Sequence, residues 1–402
     1  MASNRPSTLL LRVDGFGWQD CLATGPGSAI LGSLLFSALF PAPMSVKFLL
    51  RVAGTLLLAW AAAAACVALH TPLPWMLGPL VATSVLSMAG APTESWGPLR
   101  NGGQWAIGAA LGLYFTPEVS ALVGSLWWAI VLGIGWALLL GWGFGAWLYR
   151  LHAPRMHGVP ASMLRSTSYF AGAIGAASEM TLLSERENAR TDLVAASHSL
   201  RLLIVTITIP FALQWSGLQG LDILIPTVRD VSWPGLALLA LLTGAGALVM
   251  DRLGRANPWF MGAMLVSMAV TMAGLHLSAV PQALVNAAQL VIGVSLGVRF
   301  RAEFLHTAPR WLASVAVGTF GLMGICAAFA AVLAWATGLP WVTLLLGTSP
   351  GGITEMAITA KVLQLGVPVV TAFQVCRLIA VLMLVGPMFR RIYPPTEGGS
   401  AI

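Results

Sequence analysis

Residues 74–90 read PWMLGPLVATSVLSMAG, and residues 258–274 read PWFMGAMLVSMAVTMAG, with six of the 17 positions identical at an offset of 184. Residues 103–118, GQWAIGAALGLYFTPE, match residues 288–303, AQLVIGVSLGVRFRAE, at seven of 16 positions and an offset of 185. Two matches in the same order and at nearly the same offset indicate an internal repeat. The sequence therefore predicts a duplicated unit.

A third and sparser match joins residues 177–203 to residues 353–379 at an offset of 176. It follows the first two matches in both halves, so the repeat extends over most of the chain. We predict that one half is residues 44–217 and the other is residues 228–391.

The two ends of the chain fall outside the repeat. Residues 28–40 form a 13-residue apolar run, which is too short to cross a bilayer and has the length of a signal-peptide core. Met44 and Lys47 follow this run just before the first long apolar segment. We therefore expect residues 1–43 to be an N-terminal extension from a mis-called start codon, and residues 392–402 to be a cytoplasmic tail.

The composition places the chain in a membrane. Apolar residues make up 57% of it and charged residues only 9%, where a soluble domain has roughly 25%. So much apolar surface excludes a disordered chain and argues against a soluble globule. The net charge of +7 comes without a basic run of five residues, which favours membrane orientation over nucleic-acid binding. We predict an all-α polytopic protein whose surroundings are the lipid bilayer.

Twelve apolar segments can be read along the two halves, several of them shorter than the ~20 residues of a perpendicular span. They cover residues 48–69, 74–90, 101–115, 119–148, 162–183, 193–215, 234–250, 258–275, 282–298, 308–337, 341–363 and 368–389.

The loop charges distinguish two topologies. If all twelve segments cross, the halves are parallel and the basic loop 299–310 lies outside, against the positive-inside rule. If segments 162–183 and 341–363 are re-entrant, each half has five crossings, the second half is inverted, and nearly all basic loops lie inside. The second arrangement is favoured, so we predict 10–12 segments in two inverted halves, with both termini in the cytoplasm.

The stretch GTSPGGITEM places helix breakers inside an apolar segment of the second half. Pro350 lacks a backbone donor, and glycines favour non-helical backbone. Such backbone at membrane depth is tolerated only inside protein or beside water, and secondary transporters build binding sites from broken helices. We therefore assign Ser349, Pro350, Gly351 and Gly352 to a candidate substrate or ion site.

Each half also carries one acid and one arginine in its apolar part, 22 residues apart: Glu179 with Arg201, and Glu355 with Arg377. Ionisable residues inside a membrane are costly and therefore mark candidate sites. The carboxylates can bind a cation or proton while the guanidiniums bind an anion or neutralise the acids. Two buried ion pairs that only fix the packing are the alternative.

His198 and Gln374 precede the two arginines by one helical turn, at equivalent positions of the repeat. His198 fits either a proton relay or a hydrogen-bonded core histidine. We include both residues in the candidate site.

Small residues recur in the third segment of each half, as Gly108 with Gly112 and Gly293 with Gly297. The GxxxG spacing lets helices approach closely. We predict that these glycines pack the halves together, with a lining of the permeation path as the alternative. Gln104 and Gln289 lie one turn earlier and fit a site or a tie between helices equally well.

Catalytic and metal-binding patterns are absent from the sequence. The six histidines and four cysteines are scattered, without CxxC, HxxxH or HExxH spacing. No nucleophile elbow or phosphate-binding loop occurs. We predict neither a metal, nor a cofactor, nor an enzyme.

The duplicated PW-x-x-G helix, the GQ…IG…LG segment and the SPGG…EM…R segment together resemble the bacterial AbrB-type membrane proteins, over residues 46–391. Members of this family are described as regulators of aidB expression and as ammonia monooxygenases. The resemblance implies an integral protein of the bacterial inner membrane with a duplicated domain and a link to gene regulation. The first half departs from the pattern, because Ile174 and Ala176 replace the proline and the second glycine. This departure weakens the prediction of a re-entrant segment in the first half, so the two half-sites need not be equivalent.

Three functions remain open at the level of sequence. The first is transporter-like movement of a small solute or ion through a site built from residues 168–201 and 349–377. The second is a membrane sensor or regulator without transport, and the third is a membrane monooxygenase, which the scattered histidines disfavour. The sequence leaves a homo-oligomer open.

Overall fold

Every described element is an α-helix. The structure is a computed structural model, and it describes residues 45–154, 156, 158–217, 230–300 and 308–394. No strand occurs among these residues, and the predicted all-α membrane-type fold is confirmed. The predicted extension 1–43 and residues 395–402 of the predicted tail lie outside the described residues.

Eight helices lie in the first predicted half of the chain, and most begin with proline in the first turn or follow an extended residue. They are α1 (Val46–Ala68), α2 (Pro74–Met88), α3 (Gly97–Gly112), α4 (Pro117–Ser125), α5 (Trp127–His152), α6 (Ala161–Gly172), α7 (Ala177–Arg186) and α8 (Thr191–Ser216).

Seven helices are described in the second half, and they follow the same order of long and short elements. They are α9 (Trp233–Arg252), α10 (Pro258–Met272), α11 (Gln282–Gly297), α12 (Pro309–Thr337), α13 (Trp341–Thr348), α14 (Ile353–Val362) and α15 (Val367–Ile392).

Six of the described helices, α1, α5, α8, α9, α12 and α15, are long and apolar enough to cross a membrane. A seventh span results if α3 and α4, which are bent by 90° at a short break, count as one. Helices α2, α10 and α11 have only 15 or 16 residues. The two segments predicted to be re-entrant each consist of two short helices, α6 with α7 and α13 with α14.

The backbone repeats its unusual conformations at the offsets of the sequence repeat. Leu73 and Asn257, which precede α2 and α10, have φ values of 46° and 47°. His70 pairs in the same way with Gly254, and Gly90 with Gly274, each 184 residues apart. Positive φ is uncommon for residues other than glycine, and for a bulky residue such as leucine it is an outlier. These three pairs of positive-φ residues therefore recur at the offset of the first sequence match.

From Leu50 onward the chain forms one compact unit, and close helix packing joins its two halves. A Cβ atom at Gly108 would overlap the carbonyl oxygen of Phe260, and one at Gly293 would overlap that of Met76. Helix α3 of the first half thus lies directly against α10 of the second, and α11 lies against α2.

Gly112 and Gly297 extend both contacts by one helical turn. A Cβ atom at Gly112 would overlap the carbonyl oxygen of Met264, and one at Gly297 would approach that of Leu80 within 2.8 Å. The hydroxyl of Ser267 also donates to the carbonyl of Ala109 at 2.8 Å, which ties α10 to α3. The four glycines of the two GxxxG pairs therefore all lie where helices of different halves meet.

Candidate functional site

Two interrupted helices form the centre of the candidate site. Helix α6 ends at Gly172 and α7 begins at Ala177, while α13 ends at Thr348 and α14 begins at Ile353. The four residues between the pieces include extended backbone at both edges of each break, for example at Ser349, with φ −61° and ψ 148°. The last carbonyls of α6 and α13 therefore lose their helical partners and need other donors.

The break occurs in both halves, although only the second has proline and two adjacent glycines. The residues Ile174 and Ala176, which depart from the pattern, therefore do not remove the break from the first half. Ala173 and Ala176 both adopt extended backbone, with ψ values of 139° and 137°. Side-chain donors that reach the freed carbonyls explain why the first half needs no proline there.

Arg377 of α15 supplies donors to the break in the second half. Its Nη1 donates to the carbonyl of Ser349 at 2.5 Å, and its Nη2 donates to the carbonyl of Gly351 at 2.9 Å. Nη2 also donates to Oε1 of Gln374 at 2.6 Å. The amide Nε2 of Gln374 in turn donates to the carbonyls of Leu346 and Ser349.

Arg201 of α8 does the same in the first half. Its Nη2 donates to the carbonyl of Ala173 at 2.7 Å, and Nη1 lies 3.3 Å from the carbonyl oxygens of Ala171 and Gly172. Nη2 also bonds Nδ1 of His198 at 2.8 Å. Since arginine only donates, Nδ1 of His198 must accept.

The remaining ring nitrogen of His198 then carries the hydrogen. Nε2 of His198 lies 2.9 Å from the carbonyl oxygen of Phe170, to which it donates. Arginines and their neighbours thus satisfy the carbonyl ends of α6 and α13, where the helix dipole is negative.

The acids occupy the opposite ends of the breaks. Glu179 and Glu355 both lie in the first turn of the second helix piece, at the positive end of its dipole. Glu355 is buried, and its Oε2 lies where a Cβ atom at position 352 would stand. Within the described residues no ion pair joins Glu355 to Arg377. Instead, each half puts its arginine and its acid at opposite sides of one break.

Both breaks line a single cavity of about 500 Å³. It takes in eight of the predicted site residues, namely Glu179, His198, Arg201, Pro350, Gly351, Gly352, Glu355 and Arg377.

The other two predicted residues, Ser349 and Gln374, do not line the cavity. They accept hydrogen bonds from Arg377, and Gln374 also donates to the carbonyl of Ser349. Gln104 lines the cavity, whereas Gln289 is buried and does not.

Several lining charges were not among the predicted site residues. Arg100, Arg255 and Arg299 lie on the cavity wall together with Asp251. In the sequence these arginines fall in short loops, where they indicate only the orientation of the chain in the membrane. Arg299 lies two residues after the end of α11, the helix that carries Gly293 and Gly297. Its position beside this helix is the sequence signal that could have placed it at the site.

A metal centre finds no ligand set in the part of the chain that the structure describes. No group of three or more His, Cys, Asp or Glu side chains there could hold an ion.

A sequence model of the AbrB family, described as "Transition state regulatory protein AbrB", matches residues 75–393. The chain belongs to the AbrB family. The match contains both broken helices, both GxxxG pairs and every residue of the candidate site.

Two AbrB-family relatives show how far the similarity extends. "Putative regulator AbrB" of Escherichia coli (strain K12) is 26% identical over 332 residues, covering 81% of this chain and 91% of the relative. "Uncharacterized protein YhjN" of Bacillus subtilis (strain 168) is 25% identical over 355 residues, covering 79% of this chain and 87% of the relative. The similarity therefore runs through nearly the whole length of both relatives.

Proposed function

We propose that this AbrB-family protein is transporter-like and moves a small solute through the cavity between its two broken helices. One observation carries the proposal: both breaks, with their acids and arginines, line a single cavity of about 500 Å³. Cavities of ligand-binding size are roughly 300–1,000 Å³. Broken helices that meet at one site are how many secondary transporters bind their solutes.

The repeat supports this proposal. The offsets of the sequence matches recur in the positive-φ residues, so we take the two halves as duplicates. The basic loops favour inverted halves in the bacterial inner membrane, with both termini in the cytoplasm. An inverted pair provides two alternative arrangements of related energy around a central site, which alternating access requires. The proposal involves no catalysis, cofactor or nucleic acid.

The chemistry of the breaks fits a site that must stay polar inside a membrane. Arg201 and Arg377 satisfy the backbone carbonyls that the breaks expose. Each carbonyl that they bind would otherwise cost about 1–3 kcal/mol if it were buried without a donor. Glu179 and Glu355 remain on the cavity side, where they can meet a solute or an ion.

Flux in proteoliposomes tests the proposal. Transport of a solute found by screening should fall at least about tenfold in Glu355→Gln and Arg377→Gln. Two exposed residues provide matched controls: Glu185→Gln at the end of α7 and Arg391→Gln at the end of α15 should transport as the wild type does. If both cavity variants transport at the wild-type rate, the site assignment is wrong.

A sensor or regulator is the second candidate function. The family description and the printed name of the Escherichia coli relative both contain a regulatory term. A deletion strain with an expression phenotype distinguishes the two functions. Rescue of that phenotype by a transport-dead Glu355→Gln variant favours regulation without transport, and failure of rescue favours transport.

A further inference from the structure

The charges on the cavity wall are not balanced. Five arginines line it against three acids in the described part of the chain. The Nη groups of Arg201 and Arg377 donate to backbone carbonyls and to the side chains of His198 and Gln374. The excess therefore rests with the arginines that do not serve the breaks.

Two of these, Arg100 and Arg299, have few side-chain partners and lie close enough to affect each other. The side chain of Arg299 lines the cavity but makes no hydrogen bond or ion pair with any described residue; only its backbone N–H donates, to Leu296. Arg100 has one bond of 3.3 Å to the side chain of Asn101, and its Nε is buried without a partner in the described residues. A buried donor without a partner costs roughly 1–3 kcal/mol, so it needs a partner that these residues do not supply.

The two guanidiniums also act on each other. Partial desolvation at the cavity wall lowers the pKa of Arg299, the charge of Arg100 lowers it further, and the carboxylate of Glu355 opposes both. Like charges that face one space repel each other unless an anion lies between them. Among the described residues Glu355 forms no ion pair with either guanidinium, and its Oε2 lies beside Gly352 at the start of its own helix.

We infer that the cavity takes a small soluble oxyanion, a carboxylate or a phosphate, which Arg100 and Arg299 bind together. The inference rests on the function proposed above, since it names the class of solute. Guanidinium forks match both oxyanions in bidentate geometry, and their charge-assisted bonds are roughly twice as strong as neutral ones. The size of the cavity, about 500 Å³, is ample for a small organic acid.

Binding to the full-length protein in phosphatidylcholine nanodiscs tests this inference. The probes are succinate, citrate and inorganic phosphate, with succinamide as the neutral counterpart of succinate. Trp259 lines the cavity, so tryptophan fluorescence reports on occupancy. We expect saturable binding of at least one anion, none of succinamide, and a Kd at least about tenfold higher in Arg299→Gln and in Arg100→Gln.

Two further variants separate a local role from a general loss of charge. Arg310→Gln removes an exposed arginine at the start of α12 and should bind as the wild type does. Arg299→Lys keeps the charge and loses the fork, so its Kd should lie between those of the wild type and Arg299→Gln. Absence of binding by all three anions, or wild-type affinity in both Gln variants, would overturn the inference.

A lipid headgroup carries the same oxyanion chemistry, so the measurement is repeated in phosphatidylglycerol nanodiscs. If Arg299 and Arg100 affect only thermal stabilisation by phosphatidylglycerol and no soluble anion binds, a soluble solute is the wrong occupant. Binding of an anion that is never transported would instead refute the proposed function and leave this inference standing. If a neutral solute is transported in a Glu355-dependent way and no anion binds, the proposed function stands and this inference is refuted.

Discussion

His198 and Gln374 make the same two hydrogen bonds, 176 residues apart in the chain. Each accepts a bond from the arginine three residues later, at 2.8 Å from Arg201 and 2.6 Å from Arg377. Each also donates to a carbonyl near the end of the broken helix, that of Phe170 or that of Leu346. An imidazole and an amide thus perform one task in the two halves, since both offer an acceptor and a donor on one rigid group.

This equivalence predicts that His198→Gln is tolerated. Glutamine at position 198 can accept from Arg201 and donate to Phe170 as Gln374 does in its own half. We expect the free energy of unfolding of His198→Gln to stay within about 1 kcal/mol of the wild type. His198→Leu leaves two buried polar groups without a partner, at about 1–3 kcal/mol each.

Thermal unfolding of the purified protein, followed by tryptophan fluorescence, measures both variants of His198. The reciprocal change Gln374→His serves as a second test, and it should also be tolerated better than Gln374→Leu. Equal stability of His198→Leu and His198→Gln would show that the bonds of this side chain do not support the break.

Arg377 is expected to stabilise the break through its donors and not through its charge alone. Arg377→Met removes the bonds to the carbonyls of Ser349 and Gly351, so we expect a loss of about 2–5 kcal/mol. Arg377→Lys should recover only part of this loss, because an ammonium group lacks the fork that reaches both oxygens.

The control for Arg377 is Arg391→Met, near the exposed end of the same helix. It should leave the unfolding transition within about 0.5 kcal/mol of the wild type. A loss in Arg391→Met as large as that in Arg377→Met would contradict the assignment.

The sequence was sufficient to predict the broken helix at Pro350. Proline and adjacent glycines act on the local backbone, so their effect is visible in the sequence. The partners of Arg201 and Arg377 were not predictable, because backbone carbonyls 26 to 30 residues away leave no signal in residue types.

The cavity arginines show a second limit of sequence reasoning. Arg100 and Arg299 read as ordinary loop charges, and only the packing of α3 against α10 and α11 against α2 brings their helix ends to the cavity. The break at Ile174 shows a third limit. Local helix propensity does not reveal this break, because His198 and Arg201 support it through hydrogen bonds and no proline is needed.

Glu355 and Gly352 are expected to be energetically coupled. A Cβ atom at position 352 would overlap Oε2 of Glu355, so Gly352→Ala must displace the carboxylate. We expect Gly352→Ala to cost about 1–3 kcal/mol in the wild type and close to nothing in a Glu355→Ala background. A double-mutant cycle on thermal stability measures this coupling. Equal costs in the two backgrounds would show that the carboxylate is not the group that alanine displaces.

The GxxxG glycines should differ sharply from glycines that face open space on the same helix. Gly108→Ala places a methyl group on the carbonyl oxygen of Phe260, whereas nothing lies within 4 Å of a Cβ atom at Gly102. We expect Gly108→Ala to lose about 1–3 kcal/mol through overpacking and Gly102→Ala to gain up to about 1 kcal/mol through helix propensity. Both are in α3, so thermal unfolding compares them directly. A neutral Gly108→Ala would contradict the close contact between the halves.

Asn188 and Gln364 hold the same left-handed backbone, with φ values of 52° and 55°, at the offset of 176 that relates the two breaks. Both side chains are exposed, so glycine can replace them without loss of packing. The left-handed conformation costs most residues roughly 1–2 kcal/mol, and asparagine less because its short amide bonds locally. We therefore expect Gln364→Gly to stabilise the protein by about 1 kcal/mol and Asn188→Gly by clearly less, as measured by thermal unfolding. Gln364→Ala keeps the Cβ atom and should bring no gain, whereas an equal gain from alanine would mean that the backbone at this turn is not strained.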